Sequence, residues 1–339
     1  MNAIGTTLRR FLLEQHAANP LQKGLASAID DMAQASRKIA YLVNRGSLGG
    51  LHGAVGQENI QGEEQKKLDA AANDVLIDAA TWSDNWVGLA SEEEDHAVSI
   101  RCTDASARWL SVFDPLDGSS TIDANGCVGT IFSILRCPES VSKPGNDDFC
   151  QSGTEQVAAG FMLYGPATVM VLTTGHGVDA FTLDNASGEY LLSHPDIQIP
   201  ENASEFTINM SNRRYWSPVI QAYIDDCMHG RDGNRGRDMG MRYVGSMVAD
   251  VYRIMLNGGI FLYPWDSRVP ERPGKLRLLY EANPMAFILE QAGGRASTGN
   301  QRILEVKPTS LHQRCPVIVG SKNEVEHVEK RCKAAARAS

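Results

Sequence analysis

The segment from Val112 to Thr121 constrains the fold more than any other part of the chain, and it reads Val-Phe-Asp-Pro-Leu-Asp-Gly-Ser-Ser-Thr. Apolar residues over 109–114 predict a buried strand that ends at Asp114. Pro115 has no backbone N–H to donate to a neighbouring strand, so sheet pairing should stop there. The chain must then turn sharply at an edge of the sheet, with polar groups concentrated at the turn.

This turn carries candidate metal ligands and a candidate phosphate-binding segment side by side. Asp114 and Asp117 can converge on one point and, with the carbonyl oxygen of Leu116, supply the hard oxygen ligands that Mg²⁺ prefers. The residues that follow offer small side chains and free backbone N–H groups, which favour phosphate; they are Gly118, Ser119 and Ser120. A metal site next to a phosphate site is the arrangement that phosphoryl transfer requires.

Further charged residues lie far from this turn in the sequence. Glu92 and Glu93 follow the apolar segment 86–90, and Glu281 ends an apolar segment that predicts a strand over 276–281. Lys275, and Arg242 with Tyr243, could bind an anion. Taken alone, the acids are also typical of a solvated face or a helix start, and the cations of an ordinary surface.

The pattern along the chain predicts alternating helices and strands with some hairpins, and therefore a mixed layered α/β fold. Helices are predicted over 24–43, 66–80 and 246–256, strands over 109–114, 260–263 and 276–281, and a hairpin over 157–174. Asn283 is expected to cap a further helix. The glycine-dense segment 45–63 is a candidate lid. Polar residues over 193–204, with two prolines, suggest two subdomains, 1–196 and 197–339.

Composition narrows the functional classes. The 339 residues carry a net charge of −9, which disfavours binding to nucleic acid or to an anionic membrane. No apolar segment approaches the length needed to cross a bilayer, and the first twenty residues lack the pattern of a signal peptide. Seven cysteines without C-x-x-C spacing indicate neither a disulfide framework nor a zinc site. We expect a soluble cytoplasmic protein.

Several segments together resemble the class I fructose-1,6-bisphosphatases. These segments read FDPLDGSSTID, SEEED, RYVGSMVAD, GGIFLYP and GKLRLLYEANPMA, and the resemblance extends over about residues 8–330. It implies a layered αβαβα sugar-phosphatase fold and hydrolysis of the 1-phosphate of fructose 1,6-bisphosphate in carbohydrate metabolism, with sedoheptulose 1,7-bisphosphate as a possible second substrate. It also implies two or more Mg²⁺ ions per subunit, replaceable by Mn²⁺, and a homotetramer.

The resemblance assigns a role to each matching residue. It implies metal ligation by Glu92, Asp114, the Leu116 carbonyl, Asp117 and Glu281. It implies activation of the attacking water by Glu93 with Asp69, and it places Glu63 in the mobile loop where many members have aspartate. Binding of the 1-phosphate falls to Gly118, Ser119 and Ser120. Binding of the 6-phosphate falls to Asn209, Tyr243, Tyr263 and Lys275, with Arg242 reaching that phosphate from a neighbouring subunit.

Departures from the family pattern concern regulation. Residues 21–26 and the Arg108-Trp109 pair differ from the segments that bind AMP in inhibited members, so we expect weak or no inhibition by AMP. Cys137 and Cys150 flank the loop that holds redox cysteines in plastid relatives, but the plastid insertion is missing, and free thiols are expected. Alternative functions are an inositol-phosphate or nucleotide 3′-phosphate hydrolase of the same fold, and a non-enzymatic sugar-phosphate sensor.

Overall fold

The computed structural model describes residues 3–18, 22–58, 64–101, 108–268 and 274–338. The helices are α1 (Leu8–Ala18), α2 (Leu25–Arg45), α3 (Lys67–Thr81), α4 (Asn146–Phe149), α5 (Pro218–His229), α6 (Met247–Asn257), α7 (Asn283–Gln291) and α8 (Lys322–Ala338). The strands are β1 (Ala54–Glu58), β2 (Glu64–Lys66), β3 (Trp86–Ser91), β4 (Val98–Ser99), β5 (Trp109–Asp117), β6 (Val128–Arg136), β7 (Ala158–Tyr164), β8 (Thr168–Thr173), β9 (Asp179–Asp184), β10 (Glu189–His194), β11 (Glu205–Thr207), β12 (Gly240–Arg242), β13 (Ile260–Tyr263), β14 (Arg295–Ser297) and β15 (Val317–Gly320). None of the helices in this described part combines the length and apolarity that crossing a bilayer requires.

The larger sheet has eight strands in the order β10-β9-β8-β7-β6-β5-β3-β4. Its neighbours pair antiparallel except β3 and β5, which are parallel. Adjacent residues of a strand point to opposite faces, so both faces can be apolar. Phe132 and Met162 pack against α1–α3 on one face, whereas Ile131 and Phe161 pack against α6 and α7 on the other.

The smaller sheet has five strands in the order β12-β11-β13-β15-β14. Phe261 points to the face covered by α6 and α7, and its neighbours Ile260 and Leu262 point to the opposite face, covered by α5 and α8. Helices α6 and α7 therefore lie between the two sheets. The layers run helix, sheet, helix, sheet, helix, and this confirms the predicted αβαβα fold.

The predicted helices form where the sequence period places them. α2 buries Leu25, Ile29, Met32 and Ile39 at spacings of three to seven residues, as an amphipathic helix should. α3 and α6 agree with their predicted ranges to within one residue at each end. α6 ends before Gly258, whose φ of +72° is accessible to glycine at little cost. The predicted hairpin is β7 and β8, with its turn after Tyr164.

Three local predictions were wrong. The segment 276–281 is not a strand, because the Arg277 carbonyl accepts hydrogen bonds from the N–H groups of Glu281 and Ala282, and this turn leads directly into α7. Asn283 consequently lies inside the helix rather than at its cap. Pro115 does not end β5. Pairing with β6 is interrupted after Asp114 and resumes at Asp117 through a bulge.

The candidate lid is only partly described. Within 45–63, residues 46–49 form a short 3₁₀ turn, and β1 pairs with β2 as a two-stranded ribbon. Residues 59–63 lie outside the described residues, and Glu63 lies among them. Cys137 and Cys150 are both free thiols, with Cys137 buried and Cys150 partly buried.

Candidate active site

A cavity of about 240 Å³ opens between the two sheets. Of the predicted site residues that the structure describes, it contains all except Arg242. Its lining comprises Asp69, Glu92, Glu93, Asp114, Leu116, Asp117, Gly118, Ser119, Ser120, Asn209, Tyr243, Gly245, Ser246, Met247, Asp250, Phe261, Tyr263, Lys275, Leu276, Arg277 and Glu281. Side chains from distant parts of the sequence thus meet in one place.

Three buried carboxylates form the centre of one end of the cavity. Glu92 directly follows β3, Asp114 lies within β5, and Glu281 lies in the turn before α7. One oxygen from each lies within 4.8 Å of the others. Ligands on opposite sides of Mg²⁺, each at 2.0–2.1 Å, are about 4.2 Å apart, so small shifts would close this set around one cation. The donor set fits a hard divalent metal.

The pKa values of these acids are raised by burial and by the charges that the acids place on one another. Burial raises the pKa of Glu281 to about 8, and the charge of Glu92 adds to the effect. Burial also raises the pKa of Asp114 well above its usual range, helped by the charges of Glu92 and Glu281. Carboxylates that repel one another in a buried site gain most from a bound cation, which supplies the missing charge.

Arg277 supplies part of this charge from within the chain. Its side chain is almost fully buried, and its Nη1 lies 2.7 Å from Oε1 of Glu92. Its backbone N–H donates to the Glu281 carboxylate at 2.5 Å. Arg277 therefore orients two of the three clustered acids at once.

Asp117 is held by the opposite half of the chain. Its Oδ2 accepts a hydrogen bond from the Ser246 hydroxyl at 2.8 Å and another from the Val248 N–H at 2.9 Å. Burial raises the pKa of Asp117, while these two hydrogen bonds lower it. They fix one carboxylate oxygen and leave the second to face the cavity.

The turn that follows Asp117 needs glycine at its first position. Gly118 has φ of +86°, and a Cβ placed there would lie 2.7 Å from the Cβ of Ser246. Ser119 begins a 3₁₀ turn that runs to Ala124, and both Ser119 and Ser120 face the cavity. The backbone here approaches the neighbouring loop too closely for any side chain.

Asp69 and Glu93 lie on the cavity wall beside the carboxylate cluster. Asp69 is in the first turn of α3, where its Oδ2 accepts the Lys66 N–H at 3.1 Å. Among the described residues, its buried Oδ1 accepts no hydrogen bond. Burial raises the pKa of Asp69 to about 8, and the charge of Glu93 contributes. A carboxyl with this pKa can exchange a proton near neutral pH.

The other end of the cavity is built by three neighbouring parallel strands of the smaller sheet. β12 is followed by Tyr243, β11 by Asn209, and β13 ends at Tyr263. Carboxyl ends of parallel strands meet at one edge, which is where open α/β sheets bind ligands. Lys275 completes the set, and its charge partly offsets the rise in the pKa of Tyr243 that burial and Tyr263 cause.

Arg242 does not join this group within one chain. Its side chain is 53% exposed at the end of β12, and Nε lies 3.8 Å from Glu205.

The sequence analysis missed Arg277, Ser246 and Asp250. Arg277 could have been noticed because it lies two residues after Lys275, beside the predicted acid Glu281. Ser246 and Asp250 gave no comparable signal. Asp250 is almost fully buried and accepts the Val244 N–H at 3.1 Å.

A buried carboxylate cluster, a glycine-serine turn beside it and a lysine with two tyrosines at the other end of the cavity are features of a metal-dependent phosphatase of the layered α/β class. Family comparisons make the assignment specific. The model for fructose-1,6-bisphosphatase, N-terminal domain, matches residues 6–195, and the model for the C-terminal domain matches residues 199–333. The chain belongs to the fructose-1,6-bisphosphatase family. It is a phosphatase acting on fructose 1,6-bisphosphate, in a family that depends on metal ions.

Solved structures agree with this assignment. The holo form of Leishmania major fructose-1,6-bisphosphatase has a TM-score of 0.89 and 39% sequence identity, over 98% of this chain and 99% of that one. The apo form of the same protein has a TM-score of 0.83 and 37% identity, over 97% and 98% of the two chains. The similarity extends over both sheets and all helical layers.

Proposed function

We propose that the chain hydrolyses the 1-phosphate of fructose 1,6-bisphosphate to fructose 6-phosphate and phosphate, with Mg²⁺ as its metal. One observation carries the proposal. A single cavity has a buried carboxylate cluster at one end, and tyrosine, asparagine and lysine side chains at the other. A substrate with two phosphates has an anion for each end, whereas a monophosphate would leave one end empty.

The metal end would hold two or more Mg²⁺ ions, with Mn²⁺ able to replace them. Glu92, Asp114 and Glu281 would be the central ligands, joined by Asp117 and the Leu116 carbonyl. When bound, such cations polarise phosphoryl oxygens and lower the pKa of a coordinated water. Arg277 keeps Glu92 and Glu281 oriented throughout, so the ligands need little rearrangement.

We assign proton transfer to Glu93 and Asp69, and we include Glu63 of the candidate lid as a third catalytic residue. Among the described residues, no donor bonds to the buried Oδ1 of Asp69, and a pKa raised to about 8 allows this carboxyl to exchange a proton near neutral pH. The N–H groups and hydroxyls of Gly118, Ser119 and Ser120 would bind the 1-phosphate. They orient the phosphorus for in-line attack by water.

The distal end would bind the 6-phosphate through Asn209, Tyr243, Tyr263 and Lys275. Binding energy from this unreactive end positions the reacting end. Arg242 is exposed at the same sheet edge, and we include in the proposal that it reaches the 6-phosphate of a neighbouring copy in a homotetramer. Arg242→Ala should therefore be impaired by itself, and mixing it with Glu93→Gln, which keeps Arg242 but should turn over poorly, should restore activity in hybrid oligomers.

The decisive test measures phosphate release from fructose 1,6-bisphosphate with Mg²⁺, and again with excess EDTA. Glu93→Gln should lower turnover by a factor of 100 or more, consistent with loss of a general base at about 10²–10⁴-fold, while the bisphosphate still binds. Inositol 1-phosphate is the control substrate, and should be hydrolysed poorly. Equal rates on both substrates would favour a phosphatase for monophosphates, and undiminished turnover in EDTA would contradict the metal role.

Three finer points belong to the same proposal. Sedoheptulose 1,7-bisphosphate also carries two phosphates and is a candidate second substrate, which the same assay would test. The cytoplasmic location and a role in gluconeogenesis or carbon fixation rest on composition and on the family's chemistry. The division into subdomains 1–196 and 197–339 predicts that the segment between β10 and β11 is the first to be cleaved by a protease.

A further inference from the structure

A second groove lies on the outer face of the smaller sheet, between α5, α8 and the segment 230–238. Its volume is about 280 Å³, similar to that of the substrate cavity. α5 and α8 pack on the face of the sheet opposite to α6 and α7. The sheet therefore separates this groove from the substrate cavity, and the reaction proposed above uses none of its residues.

The floor of the groove is a buried ionic cluster. Glu324 is 3% exposed and lies at the start of α8. Its carboxylate accepts hydrogen bonds from Arg235, from Nη2 of Arg237 at 3.0 Å and from the Tyr223 hydroxyl at 2.9 Å. One buried acid thus has two guanidinium partners, which is one more than charge balance needs.

A third guanidinium lies on the opposite wall. Arg331 of α8 is hydrogen-bonded to Asp226 of α5. The Cζ atoms of Arg235 and Arg331 lie 5.5 and 6.0 Å from the centroid of the Tyr223 ring. The aromatic ring therefore holds two cations close together, at a distance where cation–π attraction offsets part of their repulsion.

The charges of the groove do not cancel. Among the described residues that line the groove, Arg235, Arg237 and Arg331 face two carboxylates, those of Glu324 and Asp226. His327 also lines the groove, and its pKa is lowered by burial and then by the charge of Arg331. The local potential is therefore positive although the whole chain carries −9.

One donor in the cluster has no acceptor. The Nε of Arg235 is buried, and within the described ranges it forms no hydrogen bond. The Arg235 side chain is only 9% exposed, so bulk water does not readily supply the missing acceptor. A buried guanidinium N–H without an acceptor is costly, whereas ion pairs that serve stability alone would normally satisfy it.

We propose that this groove binds a phosphate-type dianion, either inorganic phosphate or the phosphate group of a monoester. Arginine presents a planar fork of donors that matches phosphate oxygens. The amides of Asn234 and Asn323 line the same groove and add neutral donors. A dianion here would neutralise the excess positive charge of the groove.

Calorimetric titration of the metal-free full chain tests the proposal, with inorganic phosphate and methylphosphonate as probes. The background variant is Lys275→Gln, which weakens phosphate binding in the substrate cavity. In this background we expect one phosphate per chain. Adding Arg331→Gln should weaken that binding at least about tenfold, whereas Arg331→Lys should weaken it less, because it keeps the charge but loses the fork.

Asp226→Asn is the variant that keeps the test independent of folding. It removes a competing carboxylate from Arg331, so phosphate should bind more tightly, which a damaged protein would not do. Equal binding of methylphosphonate would identify a monoester phosphate as an acceptable ligand, and binding of phosphate alone would identify the inorganic ion. The proposal is overturned if Lys275→Gln binds no phosphate, or if neither Arg331→Gln nor Asp226→Asn changes the affinity.

Discussion

Ser246 offers a sharp test of how the two halves of the chain cooperate. Its hydroxyl is buried and donates to Oδ2 of Asp117 at 2.8 Å, across the boundary between the sheets. Ser246→Ala removes this donor, while the Val248 N–H remains on that oxygen. Asp117 would then be less firmly oriented toward the cations that it is proposed to bind.

The size of the expected effect follows from the charge of the Asp117 carboxylate, which accepts the hydrogen bond from Ser246. A hydrogen bond to a charged group contributes about 1.5–3 kcal/mol. At about 1.4 kcal/mol for each factor of ten, its loss corresponds to a change of about 10- to 150-fold in an equilibrium constant. Loss of a residue that orients a metal ligand typically weakens metal binding or activity about 10- to 100-fold. We therefore expect the Mg²⁺ concentration for half-maximal activity to rise about 10- to 100-fold.

The assay is phosphate release as a function of free Mg²⁺ at saturating fructose 1,6-bisphosphate. Ser321→Ala is the matched control, because Ser321 is equally buried and its hydroxyl donates to the Pro200 carbonyl at 2.6 Å, away from the cavity. That control should lose stability and keep its Mg²⁺ dependence. The reasoning is refuted if folded Ser246→Ala has the same Mg²⁺ dependence as the unmodified chain.

Three further predictions follow from the same residues. Gly118→Ala should lower the free energy of unfolding, measured with urea, by at least about 2 kcal/mol and should reduce kcat/KM, because φ is +86° and the new Cβ would crowd Ser246. The control is Gly188→Ala, where φ is +73° and nothing lies within 4 Å of the new Cβ. It should show only the smaller effect of φ. Mg²⁺ at 100 times its dissociation constant should stabilise the chain by about 2.7 kcal/mol and raise Tm, while Asp114→Asn should largely abolish this shift in calorimetry. Burial raises the pKa of Asp250 to about 6 in the folded chain, so its contribution to stability is greatest below about pH 4 and falls as pH rises to 6. Urea unfolding of Asp250→Asn in EDTA should lack this decline. Parallel pH profiles of stability for Asp250→Asn and the unmodified chain would contradict the assignment.

Local patterns in the sequence correctly predicted those structural features that depend on interactions between neighbouring residues. The helical period of α2, the stop at Gly258 and the turn after Tyr164 depend on neighbouring residues, and each formed where the pattern placed it. The segment 276–281 has apolar residues at many positions, like a strand. It crosses between the sheets instead, so Leu278 and Leu279 are buried in two different clusters and sheet pairing is not needed.

The site could be assembled from the sequence only through the resemblance. The spacing within 112–121 indicated Asp114 and Asp117, because the turn is local. The proximity of Glu92 and Glu281 depends on the packing of β3 against β5 and of β5 against the turn before α7, which no local pattern encodes. Arg277 was missed for the same reason, since its partner Glu92 lies in the other half of the chain.

Helices α6 and α7 form the middle layer, and the thickness of this layer sets the distance between the two sheets that line the cavity. Asp114 lies in a strand of the larger sheet and Glu92 directly follows one, whereas Tyr263 ends a strand of the smaller sheet and Asn209 follows one. In the proposed function, the two ends of one substrate would therefore be bound by different sheets. An error of about 1 Å in the placement of reacting groups can slow a reaction about 100-fold. The buried residues of this middle layer, Val248 and Ile288 among them, therefore set the separation of the two sheets. Substitutions that change the size of these side chains should alter turnover without touching a reacting atom.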